Sequence, residues 1–257
     1  MKYDRLNKIK QLLINQKQVG CTDLCNMFDV SIETIRRDLS VLEKEGVIKR
    51  VYGGAMLNDN TAAPNPMKPW DIRSNLNNVE KINIAREMIK HIQDNTTIAL
   101  DSGTTILEIA RLLQGRKNLN IITNDIYIAS ELSQNTNHTI YLIGGLLKKD
   151  DKITVGFLST AFMNNFSHID TAILTCDGFL DGIGDFNMDM CALKKAMIEK
   201  TDKIYVSVDH SKFTIPPLYK VCGMKDLDLV ITGSKAPAAS IAALKHAGVE
   251  VIQVPCN

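Results

Sequence analysis

The stretch Val30-Ser-Ile-Glu-Thr-Ile-Arg-Arg-Asp-Leu-Ser-Val-Leu-Glu-Lys-Glu-Gly46 decides how the N-terminal part of this chain is read. Ile35, Leu39 and Leu42 fall at i, i+4 and i+7, so a helix here buries one apolar stripe. Glu33, Arg36, Arg37 and Ser40 lie on the opposite face. Ser31 is placed to cap the helix, and Gly46 is a good residue just past its end. Two adjacent arginines near a helix N-terminus suit entry into a major groove, where Arg can bond guanine bidentately or clamp a phosphate. The hydroxyls of Ser31 and Thr34 can reach phosphates that the helix N-terminus also attracts. The same spacing also fits a solvated helix face.

Upstream, Leu6, Ile9, Leu12 and Leu13 recur at helical spacing and predict a first helix over 4–16. A short second helix is expected over 23–28, capped by Thr22, with Asp29-Val30 as a tight turn. Downstream, Val47-Ile-Lys-Arg-Val-Tyr-Gly-Gly-Ala55 reads as a strand entering a Gly-Gly turn. With Lys49 and Arg50 exposed, this is a wing that would lie along a DNA backbone or minor groove, or else an ordinary surface hairpin. Residues 1–55 hold ten basic and seven acidic residues, so they carry +3 of a whole-chain net charge of +1, and the remainder carries −2. The basic excess therefore sits in the small N-terminal block, where nucleic-acid contact is expected.

The whole chain has 257 residues, enough for one large domain or two smaller ones. At 45% hydrophobic and 23% charged, it is neither wholly disordered, nor collagen-like, nor a long coiled coil. No apolar run approaches a membrane span, and the charged Met1–Lys17 segment has no signal-peptide core, so no membrane partner and a cytoplasmic location are expected. The six cysteines form no framework of close pairs and read as buried thiols. The five histidines show no metal-ligand spacing. Neither a metal nor a cofactor is expected.

Residues 58–69 contain Pro64, Pro66 and Pro69 and almost no apolar periodicity, so they read as a linker between a domain over 1–57 and another over 70–257. Past it, apolar runs at 98–100, 121–123, 139–143, 172–175, 204–208, 229–232 and 249–254 alternate with helical runs at 104–113, 126–133, 190–200 and 237–246. That alternation predicts an open, mostly parallel sheet covered on both faces. In such sheets the loops after strand C-termini line a binding crevice. Asp101-Ser-Gly-Thr-Thr105 is a hydroxyl-rich turn at a helix start, a natural anion cradle. Ser102, Gly103, Thr104 and Thr105 would form it, while Asp101 would bond a hydroxyl or brace the loop. Asn124, Gly144-Gly145 and Asp177-Gly178 follow other strands, and Lys212 in Asp209-His-Ser-Lys-Phe213 supplies a cation at the same edge.

The run from Val30 to Gly46, continued by Arg50-Val-Tyr-Gly-Gly-Ala55, resembles the DeoR-family winged helix-turn-helix, whose hallmark is V-S-x-x-T-I-R-R-D-L followed by a basic residue and G-G-A. The resemblance implies a bacterial transcription factor, usually a repressor, that places Ser31–Leu39 in double-stranded operator DNA. Leu100-Asp-Ser-Gly-Thr-Thr, Ile122-Thr-Asn-Asp, Leu142-Ile-Gly-Gly, Asp177-Gly, Ala192-Leu-Lys-Lys-Ala-Met-Ile and Asp209-His-Ser-Lys-Phe resemble that family's sensor domain, and Arg73 and Lys81 stand where it carries Arg and Lys. This implies a sugar-phosphate-isomerase-like fold, a phosphorylated sugar or related metabolite as effector, Lys195 among the effector contacts, and a homo-oligomer. Isomerases of that kind carry a general-base Glu in a helix similar to Ala192–Met197. Here Ala196 takes its place, so binding without isomerisation is expected, with an isomerase-like enzyme as the alternative. Gly233, where the family has Asp, and the segment 182–189 depart from the pattern.

Overall fold

The computed structural model describes residues 18–44, 48–57, 70–134 and 137–257, together with Arg5, Leu6, Lys8, Ile9, Leu12, Leu13 and Gln16. The expected linker at 58–69 and the expected helix stop at Gly46 lie outside the described residues. The chain divides into two compact units, residues 1–76 and 77–257.

In the first unit the described residues between 5 and 16 are helical, as their apolar spacing predicts. After them come β1 (Gln18–Gly20), α1 (Cys21–Phe28), α2 (Ile32–Lys44), β2 (Ile48–Val51), β3 (Gly54–Leu57) and α3 (Trp70–Asn75). The three strands form an antiparallel sheet in the order β1-β3-β2. Ile35, Leu39 and Leu42 of α2 are fully buried with Ile9, Leu13 and Leu24, and the spacing read from the sequence is the spacing of the core. Ile72 of α3 packs into this same core, so the helix after the proline-rich stretch is built with the N-terminal unit.

Two local expectations change. Helix α1 begins at Cys21 with Gly20 in the cap position and no side-chain cap, so Thr22 lies inside it rather than capping it. The wing turns on Tyr52-Gly53, with Gly53 at φ +77, while Gly54 already belongs to β3. A side chain at Gly54 would overlap the Val19 carbonyl, so that glycine is needed for the close approach of β1 and β3.

The second unit contains α4 (Asn78–Met88), β4 (Thr97–Leu100), α5 (Thr104–Leu112), β5 (Asn120–Thr123), α6 (Ile126–Leu132), β6 (Thr139–Leu142), β7 (Leu146–Lys148), β8 (Ile153–Val155), α7 (Phe157–Phe162), β9 (Ile169–Leu174), β10 (Gly178–Phe179), β11 (Gly182–Asp185), α8 (Met188–Ile198), β12 (Thr201–Ser207), β13 (Tyr219–Gly223), β14 (Leu229–Gly233), α9 (Ala238–His246) and β15 (Glu250–Val254). Seven strands form one sheet in the order β15-β14-β12-β9-β4-β5-β6, every pairing parallel. The central strands are apolar runs because both faces are covered. From β4 the chain builds outward through β5 and β6, then returns to lay β9 on the other side of β4. The order therefore reverses between β4 and β9, and an open parallel sheet presents its binding crevice at the strand C-termini of such a point. Short antiparallel additions, β10-β11-β13 and β7-β8, were not anticipated from the sequence. Neither was α4, whose inward face includes the buried Glu80 and Lys81 and so breaks the apolar stripe that marks a helix. Among the described residues, no helix is long and apolar enough to cross a membrane.

Because Leu39 is fully buried at the centre of the first unit's core, Leu39→Ala should destabilise that unit by about 2–5 kcal/mol. Urea unfolding followed by circular dichroism checks this, and a loss below 1 kcal/mol would show that the helix is not held through this stripe.

Candidate functional site

Helix α2 presents Ser31, Glu33, Arg36 and Arg37 exposed, with Thr34 and Ser40 half-buried beside them. Ser31 Oγ accepts the Thr34 N–H at 3.3 Å, which satisfies one of the otherwise free amides of the first turn. Arg36, Arg37, Ser40 and Val41 line a shallow depression. Arg50, exposed on β2 like Lys49, donates from Nη1 to Ser40 Oγ at 3.5 Å. The wing and the exposed helix face thus form one continuous basic surface, and the DNA-facing set named from the sequence is brought together. The sequence did not single out two supports. Asp38, between the arginines and the core, is buried and accepts from Arg5 Nε at 2.6 Å, tying the first helix to α2. Tyr52 stands fully exposed at the wing tip, where its ring has no packing role in the unit.

In the second unit the loop after β4 meets the loop after β9 at the reversal point. Asp101 is buried; its Oδ2 accepts the Thr175 N–H at 2.9 Å and lies 2.9 Å from Lys194 Nζ. Lys194, also buried, lies 2.7 Å from Asp185 Oδ2 and donates to the Thr175 carbonyl at 2.8 Å. One cation thus serves two buried carboxylates. Burial pushes Asp101 above the ordinary carboxylate value, and Lys194 offsets this only in part. Burial works against the charge on Lys194, yet Asp101 and Asp185 hold it firmly protonated. Asp185 also accepts the Asp177 N–H at 3.0 Å, which braces the loop after β9.

Asp125 ties the second loop to the first. Its Oδ1 accepts the N–H groups of Tyr127 and Ile128, capping α6, and its Oδ2 accepts the Gly103 N–H at 3.1 Å. One amide of the expected anion cradle is therefore already taken, which leaves the first-turn amides of α5 at Thr104 and Thr105 as its free donors. Burial raises the Asp125 pKa to about 6 despite those hydrogen bonds. Asn124 is buried and donates to the Thr154 carbonyl at 2.8 Å.

The third element is the short turn His210–Thr214 after β12. Asp209 caps it, accepting the Ser211 N–H at 3.0 Å and the Asn77 side-chain N–H at 2.9 Å. Burial pushes the Asp209 carboxyl up, but Lys212, the Ser211 hydrogen bonds and Lys81 bring it below its ordinary value. Lys212 is half-buried, and its charge also reaches Cys176 in the loop after β9. Glu80 reaches this turn from α4, accepting the His210 N–H at 2.7 Å and pairing with His210 Nδ1 at 2.6 Å. A Cβ at Gly233 would overlap the Glu80 carboxylate, which accounts physically for glycine at that position. Cys256 joins Glu80 and His210 within 4.8 Å, a grouping the sequence did not suggest.

Not every expected contact converges. Lys195 is exposed on α8, while its neighbour Lys194 enters the carboxylate cluster. The missed signal was the helix period, which sets adjacent lysines about 100° apart. Gly144 and Gly145 are exposed beside the β7-β8 hairpin, and a side chain at Gly145 would overlap Ser159. Gly178 packs against the backbone of Ile215 and Pro217. Ala196 is buried on α8 and offers no proton-transfer group. Among the described residues, Asp101 Oδ1, Asn124 Oδ1, Ser207 Oγ and Thr232 Oγ1 are buried without a hydrogen-bond partner, and all four sit at the C-terminal ends of β4, β5, β12 and β14.

Residues 5–61 match the family model "DeoR-like helix-turn-helix domain", and residues 76–234 match "DeoR C terminal sensor domain". The chain is 33% identical over 97% of both lengths to the HTH-type transcriptional regulator GolR of Listeria innocua. It is 34% identical to the putative aga operon transcriptional repressor of Escherichia coli, over 98% of this chain and 93% of that one. It is 32% identical to the glycerol-3-phosphate regulon repressor of Escherichia coli, over 91% and 92% of the two chains. Among solved structures, ribose 5-phosphate isomerase A of Methanocaldococcus jannaschii aligns with a TM-score of 0.39 and 16% identity, covering 53% of this chain and 55% of that one.

The raised Asp125 pKa predicts a pH dependence. Its folded value of about 6 exceeds the ordinary 3.8, so the folded state binds the extra proton between those values and stability falls as pH rises through 6. Asp125→Asn should remove that slope, on the order of 3 kcal/mol between pH 4 and 7 at most. Denaturant midpoints at both pH values check it; an unchanged slope in the variant would place the titration elsewhere.

Proposed function

The chain belongs to the DeoR family of DNA-binding transcriptional regulators, and from that premise we propose that it represses carbohydrate-metabolism genes under the control of a phosphorylated sugar or related metabolite bound at the β4/β9 reversal point. One observation carries the effector reading. Asp101 Oδ1 and Asn124 Oδ1 are buried acceptors without donors, and leaving such groups unpaired is costly. A polyhydroxylated ligand supplies the missing hydroxyl donors. Thr104 and Thr105 offer first-turn amides and hydroxyls to its phosphate, with Ser102 and Gly103 shaping the turn and Lys212 as the counter-cation. Asp177 takes a further hydroxyl.

On DNA, Arg36 and Arg37 read base edges or clamp phosphates in the major groove. Ser31, Thr34 and Ser40 bond the backbone, Glu33 faces the groove, and Lys49 and Arg50 follow the backbone along the wing. The protein works in the cytoplasm as a homo-oligomer, setting recognition helices on repeated half-sites. The effector must bind the DNA-competent and DNA-incompetent states with different affinity, since equal affinity moves nothing. With Ala196 where a general base would stand, the crevice binds sugar phosphates without isomerising them.

Arg36→Ala should weaken binding to a duplex selected from a random library by about 1–3 kcal/mol, read by fluorescence anisotropy. Unchanged affinity would remove Arg36 from the interface. A thermal-shift screen of phosphorylated sugars identifies the effector, and Lys212→Ala should then lose the effector response at unchanged DNA affinity. A normal response in that variant, or turnover of any sugar phosphate by the purified protein, would contradict the reading.

A further inference from the structure

We propose that Glu80, His210 and Cys256 form a binding site for a divalent cation of the zinc class at the C-terminal end of β14. The site uses none of the side chains assigned above to the phosphorylated ligand, and it stands whether or not that reading holds.

The three residues come from distant parts of the chain. Glu80 is on α4, His210 opens the turn after β12, and Cys256 follows β15. Glu80 and His210 are 130 residues apart in sequence, so no spacing motif marks the group. The fold brings one ligand atom from each to within 4.8 Å of the others. Glu80 is buried, while His210 and Cys256 are half-buried, so the group has a floor shielded from water and a side by which an ion can enter.

The residue types select the cation. Thiolate and imidazole suit zinc and its transition-metal neighbours, whereas magnesium and calcium take oxygen ligands. Three protein ligands leave a fourth tetrahedral position for water. The carboxylate and the thiolate together match two positive charges, so the filled site adds no net charge to a half-buried place. Binding requires the Cys256 thiol to release its proton to solvent. It also shifts the proton that His210 Nδ1 and Glu80 Oε2 share across 2.6 Å to the other ring nitrogen, the tautomer that leaves Nδ1 able to coordinate. Bonds of about 2.0 Å from a tetrahedral cation set nitrogen and oxygen roughly 3.3 Å apart, so the half-exposed ring must give by about 0.7 Å.

The surroundings are shaped for this group. A Cβ at Gly233 would overlap both the Glu80 carboxylate and Cys256 Sγ, so glycine makes the room in which the two approach. The aspartate that the family pattern carries at this position would fill that room. Ser234 donates its hydroxyl to Cys256 Sγ at 3.7 Å, a contact that favours the thiolate. The Ser234 N–H donates to the Val254 carbonyl at 2.8 Å, and Asn83 of α4 donates to the Pro255 carbonyl at 3.0 Å, so the chain entering Cys256 is held from two elements. Glu80 Oε1 accepts the His210 N–H at 2.7 Å, which orients the carboxylate. Outer contacts of this kind keep metal ligands in place.

Metal titration of the chelator-treated full chain tests this. Zn²⁺ should bind stoichiometrically, and Co²⁺, used as a coloured probe, should give a thiolate charge-transfer band that Zn²⁺ abolishes. Loss of an outer partner typically costs roughly 10–100-fold in metal affinity, so loss of a ligand in Cys256→Ser should weaken Zn²⁺ binding by about 100-fold or more and remove the band. Cys256 lies past the last strand, so the far-UV spectrum should be kept. Gly233→Ala should weaken binding with every ligand still present, by filling the space between two of them. Cys25→Ser, at the half-buried thiol of the N-terminal unit, should leave band and affinity unchanged. Absence of stoichiometric Zn²⁺, unchanged affinity in Cys256→Ser, loss of the band in Cys25→Ser instead, or equal binding of Mg²⁺ would each overturn the proposal. The Arg36 and Lys212 measurements decide the DNA and effector readings separately.

Discussion

A single buried ammonium, that of Lys194, lies between the carboxylates of Asp101 and Asp185 at the place where the order of the central sheet reverses. Removing either partner of such a group leaves an uncompensated charge in a low-dielectric interior, which costs about 3–5 kcal/mol. The cluster therefore fixes the loops after β4 and β9 relative to one another. Thr175 adds to this through both its amide and its carbonyl, and Asp185 carries the bracing on to Asp177. With one positive charge for two negative ones, the cluster leaves Asp101 with an acceptor oxygen to spare. Two loops held in fixed relation and an unpaired acceptor thus come from the same arrangement, which is what the proposed hydroxylated ligand would require.

The two units divide the work along the lines of their charge. The basic excess of the N-terminal block is displayed on α2 and the wing, held in shape by Asp38 and Arg5 underneath. In the C-terminal unit, charged groups are paired at the turn after β12, where Asp209 is set against Lys212 and Glu80 against His210. On the proposed reading, an incoming phosphate would enter a site whose cation is partly compensated, so its binding would compete with an internal carboxylate and alter how the His210–Thr214 turn is held. Such competition would give the proposed effector a differential effect on structure, the minimum condition for a switch.

Much of this was legible in the sequence because the signals were local. The stripe Ile35-Leu39-Leu42 and the exposed Arg36-Arg37 follow from helical periodicity alone, and the apolar runs of the parallel sheet from burial on both faces. The Asp101–Thr105 turn was visible as a strand end followed by a helix start. What escaped depends on distant partners. In Ala192-Leu-Lys-Lys-Ala the helix period sets the two lysines apart, but only the fold shows Asp101 and Asp185 in place to hold a charged one inside. Helix α4 was hidden because Glu80 and Lys81 interrupt its apolar stripe, yet both are buried, Glu80 against His210, a partner 130 residues away. Asp125 looked like an ordinary turn residue, and only the fold shows it reaching across to Gly103.

Hydrogen exchange of backbone amides, followed by mass spectrometry with and without each member of a sugar-phosphate panel, tests the central claim most directly. The account predicts that one of these compounds slows exchange at Ser102–Thr105 and Cys176–Gly178, and that the same sugar without its phosphate loses the effect at Thr104 and Thr105 first. Protection confined to other parts of the sheet, or none at these two loops with a compound that does bind, would contradict it.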